Sequence, residues 1–170
     1  FITLCEVAPG IIWAGGYTSG IYKINKETLS VEYFSPYLLS HVNMRPDKYI
    51  RDIVKDSRGH IWSGGYYNLK CFDLETNSAR LYPGLNSITS IVEKDKDNMW
   101  IGTAAGLYLL NRNTGEYQYI EMEIGITYIN TLYQADNGLL YIGTNGGGVF
   151  IYNSQDKIFE HYFSDNSALV

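Results

Sequence analysis

The segment NMWIGTAAGLYLLN at residues 98–111 consists of two short apolar runs separated by a small turn. Trp100 is followed two positions later by Gly102, and Gly106 opens the second run. The same frame recurs as IWAGGYTSGIYKIN at 12–25, IWSGGYYNLKCFD at 61–73 and LYIGTNGGGVFIYN at 140–153. A frame that returns at a roughly constant interval is typical of a repeat protein, in which each copy builds the same small unit.

The positions around each copy also match without gaps. The anchor residues are Trp13, Trp62, Trp100 and Tyr141, which stand 49, 38 and 41 residues apart. A glycine follows two positions after each anchor, and apolar residues occur nine and twelve positions before it. These residues are Gly15, Gly64, Gly102 and Gly143; Leu4, Ile53, Ile91 and Leu132; and Phe1, Ile50, Ile88 and Ile129. The repeat therefore decides the fold prediction.

Composition excludes some classes of partner. The chain has 170 residues, 45% of them apolar, with 16 tyrosines and a net charge of −5. The charges are dispersed and form no basic cluster, which argues against binding to nucleic acid. No apolar run approaches the length of a membrane span, and no signal peptide is recognisable. Because the sequence begins at Phe1 rather than Met, we interpret it as a piece of a longer protein.

The second repeat shows the predicted strands most clearly. The turn DSRG at 56–59 ends in a glycine, which adopts a positive φ at no steric cost. No segment of the repeat has helical periodicity. Four β-like runs, separated by turn residues, lie at Ile50–Lys55, His60–Gly64, Leu69–Leu74 and Ala79–Tyr82. Each repeat therefore predicts a four-stranded antiparallel sheet.

The polarity of the strands indicates how the sheets are arranged. Fourth strands alternate polar and apolar residues, as in Ala79-Arg80-Leu81, which predicts one solvent-facing side. First strands contain adjacent apolar pairs, which predicts burial on both sides. These pairs are Leu4-Cys5, Ile53-Val54, Ile91-Val92 and Leu132-Tyr133. A buried inner strand and a half-exposed outer strand are typical of the blades of a β-propeller.

We therefore predict an all-β fold, a β-propeller segment of four four-stranded antiparallel blades. The blades are expected at residues 1–49, 50–87, 88–128 and 129–170. Each anchor aromatic is expected to pack one blade against its neighbour. The glycine after it is expected to let the strand turn into a loop without a Cβ penalty.

Both ends of this set of blades are expected to present an apolar face. The first blade contains its own four strands, from Phe1 to Phe34, and the fourth is complete by Phe163. Neither blade therefore needs a strand from the other end of the chain. We predict an open arc that is part of a larger propeller of seven blades, or two copies that pair into a larger ring.

Several of these residues also resemble a known family. IRDI at 50–53, DSRGHIWSG at 56–64, GLY at 106–108 and NRNT at 111–114 resemble the two-component regulator propeller repeat. The resemblance implies the periplasmic sensor region of a hybrid two-component system of gut bacteria. Such regions have two large propellers, a β-sandwich, a membrane helix and a kinase, and they commonly sense oligosaccharides. The second repeat departs from the pattern at Asn68, where the other repeats have glycine, and the fourth has Tyr141 for tryptophan.

A search for catalytic chemistry yields little. His41, His60 and His161 have no ligand spacing between them, so we expect neither a metal nor a cofactor. Glu121 and Glu123 could form a glycosidase pair, but nothing around them supports that reading and a solvated edge is favoured. Cys5 and Cys71 lie within apolar strands of different repeats and are interpreted as buried thiols, with a disulfide or metal pair as the alternative. We expect the segment to be non-catalytic.

The remaining candidate is one face of the propeller. The loops that join strands two to three and four to one emerge on the same side of a blade. Aromatic rings and planar polar groups on these loops are suited to binding sugars, although loop tyrosines can also simply cover blade ends. The candidate ligand-binding residues are Tyr17, Tyr37, His41, Arg45, Tyr66, Tyr67, Asn68 and Asn145.

Together with the resemblance, these observations predict a non-catalytic sensory propeller that responds to oligosaccharides, or to another small ligand, and signals through packing between domains. The resemblance implies a location in the periplasm, in the ectodomain of an inner-membrane sensor histidine kinase whose kinase domain lies outside this chain. The other expected partners are the remaining blades or domains of the parent protein, or a second copy in a homodimer, but not nucleic acid. The alternatives are the propeller of a glycan lyase or hydrolase and a structural interaction scaffold.

Overall fold

The computed structural model describes residues 2–34, 47–122, 125 and 128–163, which form sixteen β-strands. Across these residues there is no helix, and so none that could cross a membrane. In chain order the strands are β1 Thr3–Ala8, β2 Ile11–Gly15, β3 Ile21–Asn25, β4 Val31–Phe34, β5 Ile50–Lys55, β6 Ile61–Gly65, β7 Leu69–Asp73, β8 Ser78–Tyr82, β9 Ile88–Asp95, β10 Asn98–Thr103, β11 Gly106–Asn111, β12 Tyr117–Ile120, β13 Ile129–Gln134, β14 Leu139–Thr144, β15 Val149–Asn153 and β16 Ile158–Tyr162.

The strands form four four-stranded sheets. Each sheet takes four consecutive strands in chain order, and we call them the first (β1–β4), second (β5–β8), third (β9–β12) and fourth (β13–β16) sheets. Their pairing is antiparallel. The prediction of an all-β propeller segment with four four-stranded sheets is confirmed. In the second repeat the predicted strands agree with the observed ones to within one residue.

The chain divides into two compact units, Phe1–Ile91 and Val92–Val170, with the division inside β9. In the first unit, aromatic residues pack the first sheet against the second. The buried ring of Trp13 lies 4.2 Å from that of Phe34 and 5.4 Å from that of Phe72, measured between centroids. Ile50 and Ile53 of β5 belong to the same cluster. Trp13 thus packs one sheet against the next, as predicted.

In the second unit, Trp100 has the same place between the third and fourth sheets. Its ring centroid lies 5.8 Å from that of Tyr152, and its Nε1 donates a hydrogen bond of 2.9 Å to Gln134 Oε1. The fourth anchor differs, because Tyr141 is only half-buried and its ring contacts Tyr133 of its own sheet at 6.2 Å. The prediction of a packing role between sheets is therefore confirmed for Trp100.

The glycine after each anchor has a different role from the predicted one. None of these glycines has a positive φ, so they do not serve to turn the strand. A Cβ on Gly15 would lie 2.6 Å from Ile50 Cγ2, and one on Gly102 would lie 2.8 Å from Ile129 Cγ2. Gly64 is crowded in the same way by Ile88. At Gly15, Gly64 and Gly102 a glycine is needed because the first strand of the following sheet approaches too closely for a side chain, whereas a Cβ on Gly143 would meet Thr131 of its own sheet.

The first strands are less uniformly buried than predicted. Leu4 is 65% exposed, whereas Ile91, at the corresponding position of the third repeat, is buried against Gly64 of the preceding sheet. In the described part of the chain no sheet precedes β1, so Leu4 has no preceding sheet to pack against. Tyr133 is also 65% exposed, because it lies on the opposite side of β13 from the buried Leu132. The prediction of burial on both sides is therefore wrong for β1 and β13.

Two of the four outer strands also depart from the prediction. β8 and β16 alternate between exposed and half-buried residues, as expected. The first three residues of β4 and of β12 are all exposed. Both sides of these two strands therefore meet solvent, and the alternating pattern of their sequence was not a sufficient guide to burial.

A carboxylate links successive inner strands in the first unit. Asp52 of β5 accepts a 2.7 Å hydrogen bond from the Ile91 N–H of β9 and is also hydrogen-bonded by the Thr3 hydroxyl of β1. Thr3 Oγ1 accepts in turn from the Ile53 N–H at 3.3 Å. Burial raises the pKa of Asp52 to about 6, and these hydrogen bonds only partly oppose the shift.

We predict that Gly102→Ala destabilises the protein by about 1–3 kcal/mol, because Ile129 and Leu132 must move to admit the new methyl group. Gly125→Ala is the matched control in the same unit, since a Cβ there meets nothing within 4 Å, and its effect should stay within about 0.5 kcal/mol. Urea unfolding measures both. Equal unfolding midpoints for the two variants would contradict the role assigned to Gly102.

We also predict that Asp52 makes stability depend on pH. Its pKa of about 6 in the folded state exceeds the ordinary value of 3.8, so the folded state holds the proton more tightly between these pH values. The contribution of Asp52 to stability therefore falls as pH rises from 3.8 to about 6. Urea unfolding of wild type and Asp52→Asn across this range isolates the effect. If the stability of the wild type changes with pH in parallel with that of Asp52→Asn, Asp52 does not cause the pH dependence.

Candidate functional site

The candidate site consists of four tyrosines of the first unit, on two loops and on the segment that precedes β5. Tyr17 lies in the loop between β2 and β3, and its ring is 4.7 Å from that of Tyr49, which directly precedes β5. Tyr66 and Tyr67 lie in the loop between β6 and β7, with ring centroids 4.9 Å apart. Tyr17, Tyr66 and Tyr67 are exposed, and Tyr49 is half-buried. We call these four residues the tyrosine cluster.

Backbone hydrogen bonds join each of the two loops to residues Tyr49 and Ile50 at the start of β5. The Ile50 N–H donates to Gly16 O at 2.9 Å, and the Tyr66 N–H donates to Tyr49 O at 3.3 Å. At Gly65 a Cβ would collide with the backbone of Tyr49, so only glycine permits this approach. The backbone of the site is therefore fixed by main-chain contacts, while the phenol rings that it carries stay accessible to solvent.

A buried ion pair lies beneath the cluster. Lys70 Nζ of β7 is 3.4 Å from Asp47 Oδ2, and the two side chains are only 4% and 2% exposed. Asp47 also accepts hydrogen bonds from the N–H groups of Tyr49 and Tyr67, at 3.2 and 3.0 Å. Lys70 Nζ lies 3.4 Å from the carbonyl oxygens of Tyr67 and Asn68. The pair thus connects the segment before β5 to the loop after β6.

Burial opposes the charge on both members of this pair. It raises the pKa of Asp47, although the charge of Lys70 and the two backbone N–H donors act in the other direction. It lowers the pKa of Lys70, although the charge of Asp47 opposes that shift. Each charge is therefore tolerated only because the other is present. The pair fixes the geometry of the loop. Because both side chains are buried, they do not contact a ligand that binds at the surface.

The departure at Asn68 has a structural reason. Its φ is +27°, a conformation that asparagine tolerates better than most residues, and its N–H donates to Asn86 Oδ1 at 3.1 Å. In the other repeats the corresponding position is glycine, as at Gly20 with φ of +71°. Asn68 therefore preserves the turn, and its half-buried side chain stays beside the tyrosine cluster.

The other predicted site residues do not join this cluster. Asn145, an exposed residue in the loop between β14 and β15, belongs to the second unit and donates its N–H to Tyr128 O at 3.0 Å. Tyr37, His41 and Arg45 lie outside the described residues. In the first unit the structure brings Tyr17, Tyr66, Tyr67 and Asn68 onto adjoining loops.

The remaining reactive side chains have local roles. His60 Nδ1 lies 3.5 Å from Asp56 Oδ2, and His161 Nε2 contacts Gly147 O at 2.6 Å. Cys5 and Cys71 are half-buried rather than fully buried, and neither forms a disulfide. Glu121 is exposed, and Glu123 lies outside the described residues. Over the described ranges no three His, Cys, Asp or Glu residues come together in a group that could hold a metal ion.

Sequence reasoning missed three residues that shape the site, namely Tyr49, Asp47 and Lys70. Tyr49 and Asp47 fall in the long segment before β5, from which other residues were selected. A signal was available for Lys70, since it is a lysine inside the apolar run Leu69–Phe72. A buried lysine implies an acidic partner, but the sequence does not indicate which acidic residue that is.

We predict that Asp47→Asn destabilises the protein by about 3–5 kcal/mol, because it leaves the Lys70 charge buried without a partner. Adding Lys70→Met to that variant should recover most of the loss, since an apolar side chain needs no counter-charge. Chemical unfolding of the two single variants and the double variant measures the coupling. If the double variant is no more stable than Asp47→Asn, the charge of Lys70 is not the cause.

Comparisons with known proteins agree with this architecture. Residues 45–67 and 83–105 match the family described as the two component regulator propeller. No curated protein sequence matches the chain. The extracellular domain of a hybrid two-component system from B. thetaiotaomicron superposes with a TM-score of 0.74 and 18% identity, over 89% of this chain and 22% of its own. A second such domain from B. thetaiotaomicron superposes with a TM-score of 0.77 and 21% identity, over 96% of this chain and 22% of its own.

A streptogramin B lyase structure is similar as well, with a TM-score of 0.75 and 14% identity, over 95% of this chain and 53% of its own. At these identities the similarity shows a shared propeller fold and no shared activity. The chain spans about 22% of the length of the two sensor domains, so it corresponds to a part of each.

Proposed function

We propose, from the two-component regulator propeller repeats that the chain carries at residues 45–67 and 83–105, that it is a non-catalytic ligand-sensing segment of a two-component sensor. The two similar extracellular domains of hybrid two-component systems support a place outside the cytoplasm. We further propose the periplasm, as part of the ectodomain of an inner-membrane sensor histidine kinase. The kinase domain would lie outside this chain.

The proposed ligand is an oligosaccharide, and the observation that carries this proposal is the tyrosine cluster. Three exposed phenol rings lie on two loops whose backbones are each hydrogen-bonded to Tyr49 or Ile50, so the rings face solvent on a well-supported backbone. Sugar CH groups pack on aromatic faces, and phenol hydroxyls and amides bond to sugar hydroxyls. Rigid aromatic groups bind at a low entropic cost, because few rotamers are lost.

Signalling is proposed to occur through packing against other domains. Each unit carries exposed apolar residues on an outer sheet face, Leu4 and Tyr33 in the first and Tyr133 and Ile158 in the second. Such faces are suited to a further propeller blade, since the sheets within each unit cover one another in the same way. We propose the remaining blades of the parent protein as the partner. The alternative partner is a second copy of this chain. Sedimentation analysis tests it, because a concentration-dependent dimer would indicate that two copies associate.

A catalytic role in a glycan lyase or hydrolase is the second candidate function. The similarity to the streptogramin B lyase concerns the fold alone, at 14% identity. We favour the sensor because the family match refers to a regulator repeat, and because the candidate residues that the structure describes, Tyr17, Tyr66, Tyr67, Asn68 and Asn145, are tyrosines and amides. These groups bind sugars but are not a general acid and base pair of the kind that glycoside hydrolysis needs.

We predict that Tyr17→Ala weakens oligosaccharide binding by about 5- to 30-fold, because one aromatic contact contributes about 1–2 kcal/mol. Tyr133→Ala is the matched control, since Tyr133 has the same 65% exposure but lies on a strand rather than on these loops. Calorimetric titration with a panel of oligosaccharides gives the affinities, and chromatography of the same mixtures detects cleavage. Accumulating cleavage products would favour the enzyme. An equal loss of oligosaccharide affinity in the two variants would exclude the tyrosine cluster as the binding site.

A further inference from the structure

A groove lies between the third and fourth sheets, away from the loops that carry the predicted site residues. It encloses about 330 Å³ and is lined by Trp100, Ile120, Tyr152 and Phe159, with Lys94 and Lys157 at its edge. A second cavity of about 200 Å³ shares Lys94 with it and extends to the turn between β13 and β14. The volume of the groove is that of a small ligand site. All of its lining residues belong to the second unit.

The hydroxyl of Tyr152, which lines this groove, has no hydrogen-bond partner among the described residues. Tyr152 is only 5% exposed. Burial alone raises the pKa of Tyr152, with no contribution from a hydrogen bond or a neighbouring charge. Among the described residues the buried side-chain atoms without a partner are Ser63 Oγ and Thr89 Oγ1, so the Tyr152 hydroxyl is instead accessible from the groove. It can therefore bond to a group that enters the groove.

The corresponding cleft of the first unit is filled. In the first sheet, Phe34 pairs with Ile21, which pairs with Gly15. In the third sheet, Ile120 pairs with Leu107, which pairs with Gly102. Because Gly15 and Gly102 are equivalent positions of the repeat, Phe34 and Ile120 are equivalent too. Phe34 covers Trp13 at 4.2 Å, a place that the smaller Ile120 leaves open beside Trp100.

The same register shows that Phe72 corresponds to Tyr152. Phe72 pairs with Ile61 and Tyr152 with Leu140, and each partner precedes its anchor by one residue. The rings have nearly the same edge-on geometry to the anchor tryptophan, at 5.4 Å and 73° for Phe72 and 5.8 Å and 77° for Tyr152. The first unit has the same repeat pattern with phenylalanine at this position. The pattern itself therefore does not explain why the second unit has a tyrosine hydroxyl here.

Charge at the edge of the groove is balanced. Lys94 Nζ forms an ion pair of 3.0 Å with Asp95 and lies 5.9 Å from the centre of the Trp100 ring. Lys157 and Glu121, both exposed, contribute one charge of each sign. The other polar groups on the lining are neutral, at Gln118, Ser154 and Tyr152. An apolar floor with neutral polar groups is suited to an uncharged ligand that has hydroxyls and apolar CH faces.

We propose that this groove is a second binding site, which takes a short neutral oligosaccharide with one sugar hydroxyl bonded to the Tyr152 hydroxyl. The inference rests on the proposed sensing of oligosaccharides but concerns residues other than the tyrosine cluster. The apolar walls at Leu109, Ile120 and Phe159 cover the CH face of the sugar, and Gln118 and Ser154 face its hydroxyls.

Two substitutions test the site, and each introduces the residue that the first unit has at the corresponding position. Tyr152→Phe removes only the unpartnered hydroxyl, and Ile120→Phe fills the groove. Because both replacements already occur in the same packing environment, the thermal midpoint should not fall. Tyr133→Phe is the control, since it removes a hydroxyl from a tyrosine on the opposite side of the fourth sheet. Binding of cellotriose, xylotriose and maltotriose is measured by calorimetry, with trigalacturonate and the tripeptide Leu-Phe-Leu as rival ligands.

We expect at least one neutral trisaccharide to bind. Tyr152→Phe should weaken that binding by about 3- to 10-fold through the loss of one hydrogen bond, Ile120→Phe should abolish the groove component, and Tyr133→Phe should change nothing. Folded Tyr152→Phe and Ile120→Phe variants with wild-type affinity would overturn the proposal. If Tyr17→Ala alone lowers affinity, the groove is excluded and the proposed function stands. If no saccharide binds the wild type, both fail, and preferential binding of trigalacturonate or Leu-Phe-Leu would overturn the neutral-sugar assignment.

Discussion

The close approach of each sheet to the next at a glycine is the constraint on which the rest of this structure depends. Gly15, Gly64 and Gly102 each face an isoleucine from the first strand of the following sheet, at a distance that leaves no room for a Cβ. Within each unit this contact sets the spacing between sheets and so allows Trp13 and Trp100 to contact the following sheet. A larger residue would separate the sheets, and the apolar side chains between them would lose both burial and dispersion contacts.

The tyrosine cluster is a consequence of the same close approach. Where the strands end, the backbone of one loop continues to lie against that of the next, and hydrogen bonds such as the one from Ile50 N–H to Gly16 O replace the contacts between side chains. The buried pair of Asp47 and Lys70 adds a polar link beneath the loops. A fixed backbone that carries exposed side chains allows those side chains to vary in sequence without disturbing the packing.

The two units show how much a common frame allows. Trp13 and Trp100 occupy equivalent places, yet the cleft beside the first is closed by Phe34 and the cleft beside the second is open at Ile120. One side chain volume therefore decides whether a cleft between sheets is core or groove. The frame residues determine that the sheets pack, and the residues on the outer strands determine what remains between them.

The sequence by itself determined the repeat, the number and order of the strands, and the burial of Trp13, Trp62 and Trp100, because a short unit repeated four times carries its pattern in local spacing. It also indicated that Tyr17, Tyr66 and Tyr67 lie on loops. The reason for the glycines at Gly15, Gly64 and Gly102 was decided only by tertiary structure, since the obstructing isoleucine belongs to the next repeat.

Tertiary structure also decided the exposure of Leu4 and the pairing of Asp47 with Lys70. The first depends on whether a sheet precedes β1, and the second joins residues 23 positions apart through the packing of two sheets. The groove beside Tyr152 likewise follows from the volume of Ile120 on another strand. Local spacing encodes the unit, whereas space and charge between units arise from residues that only the fold brings together.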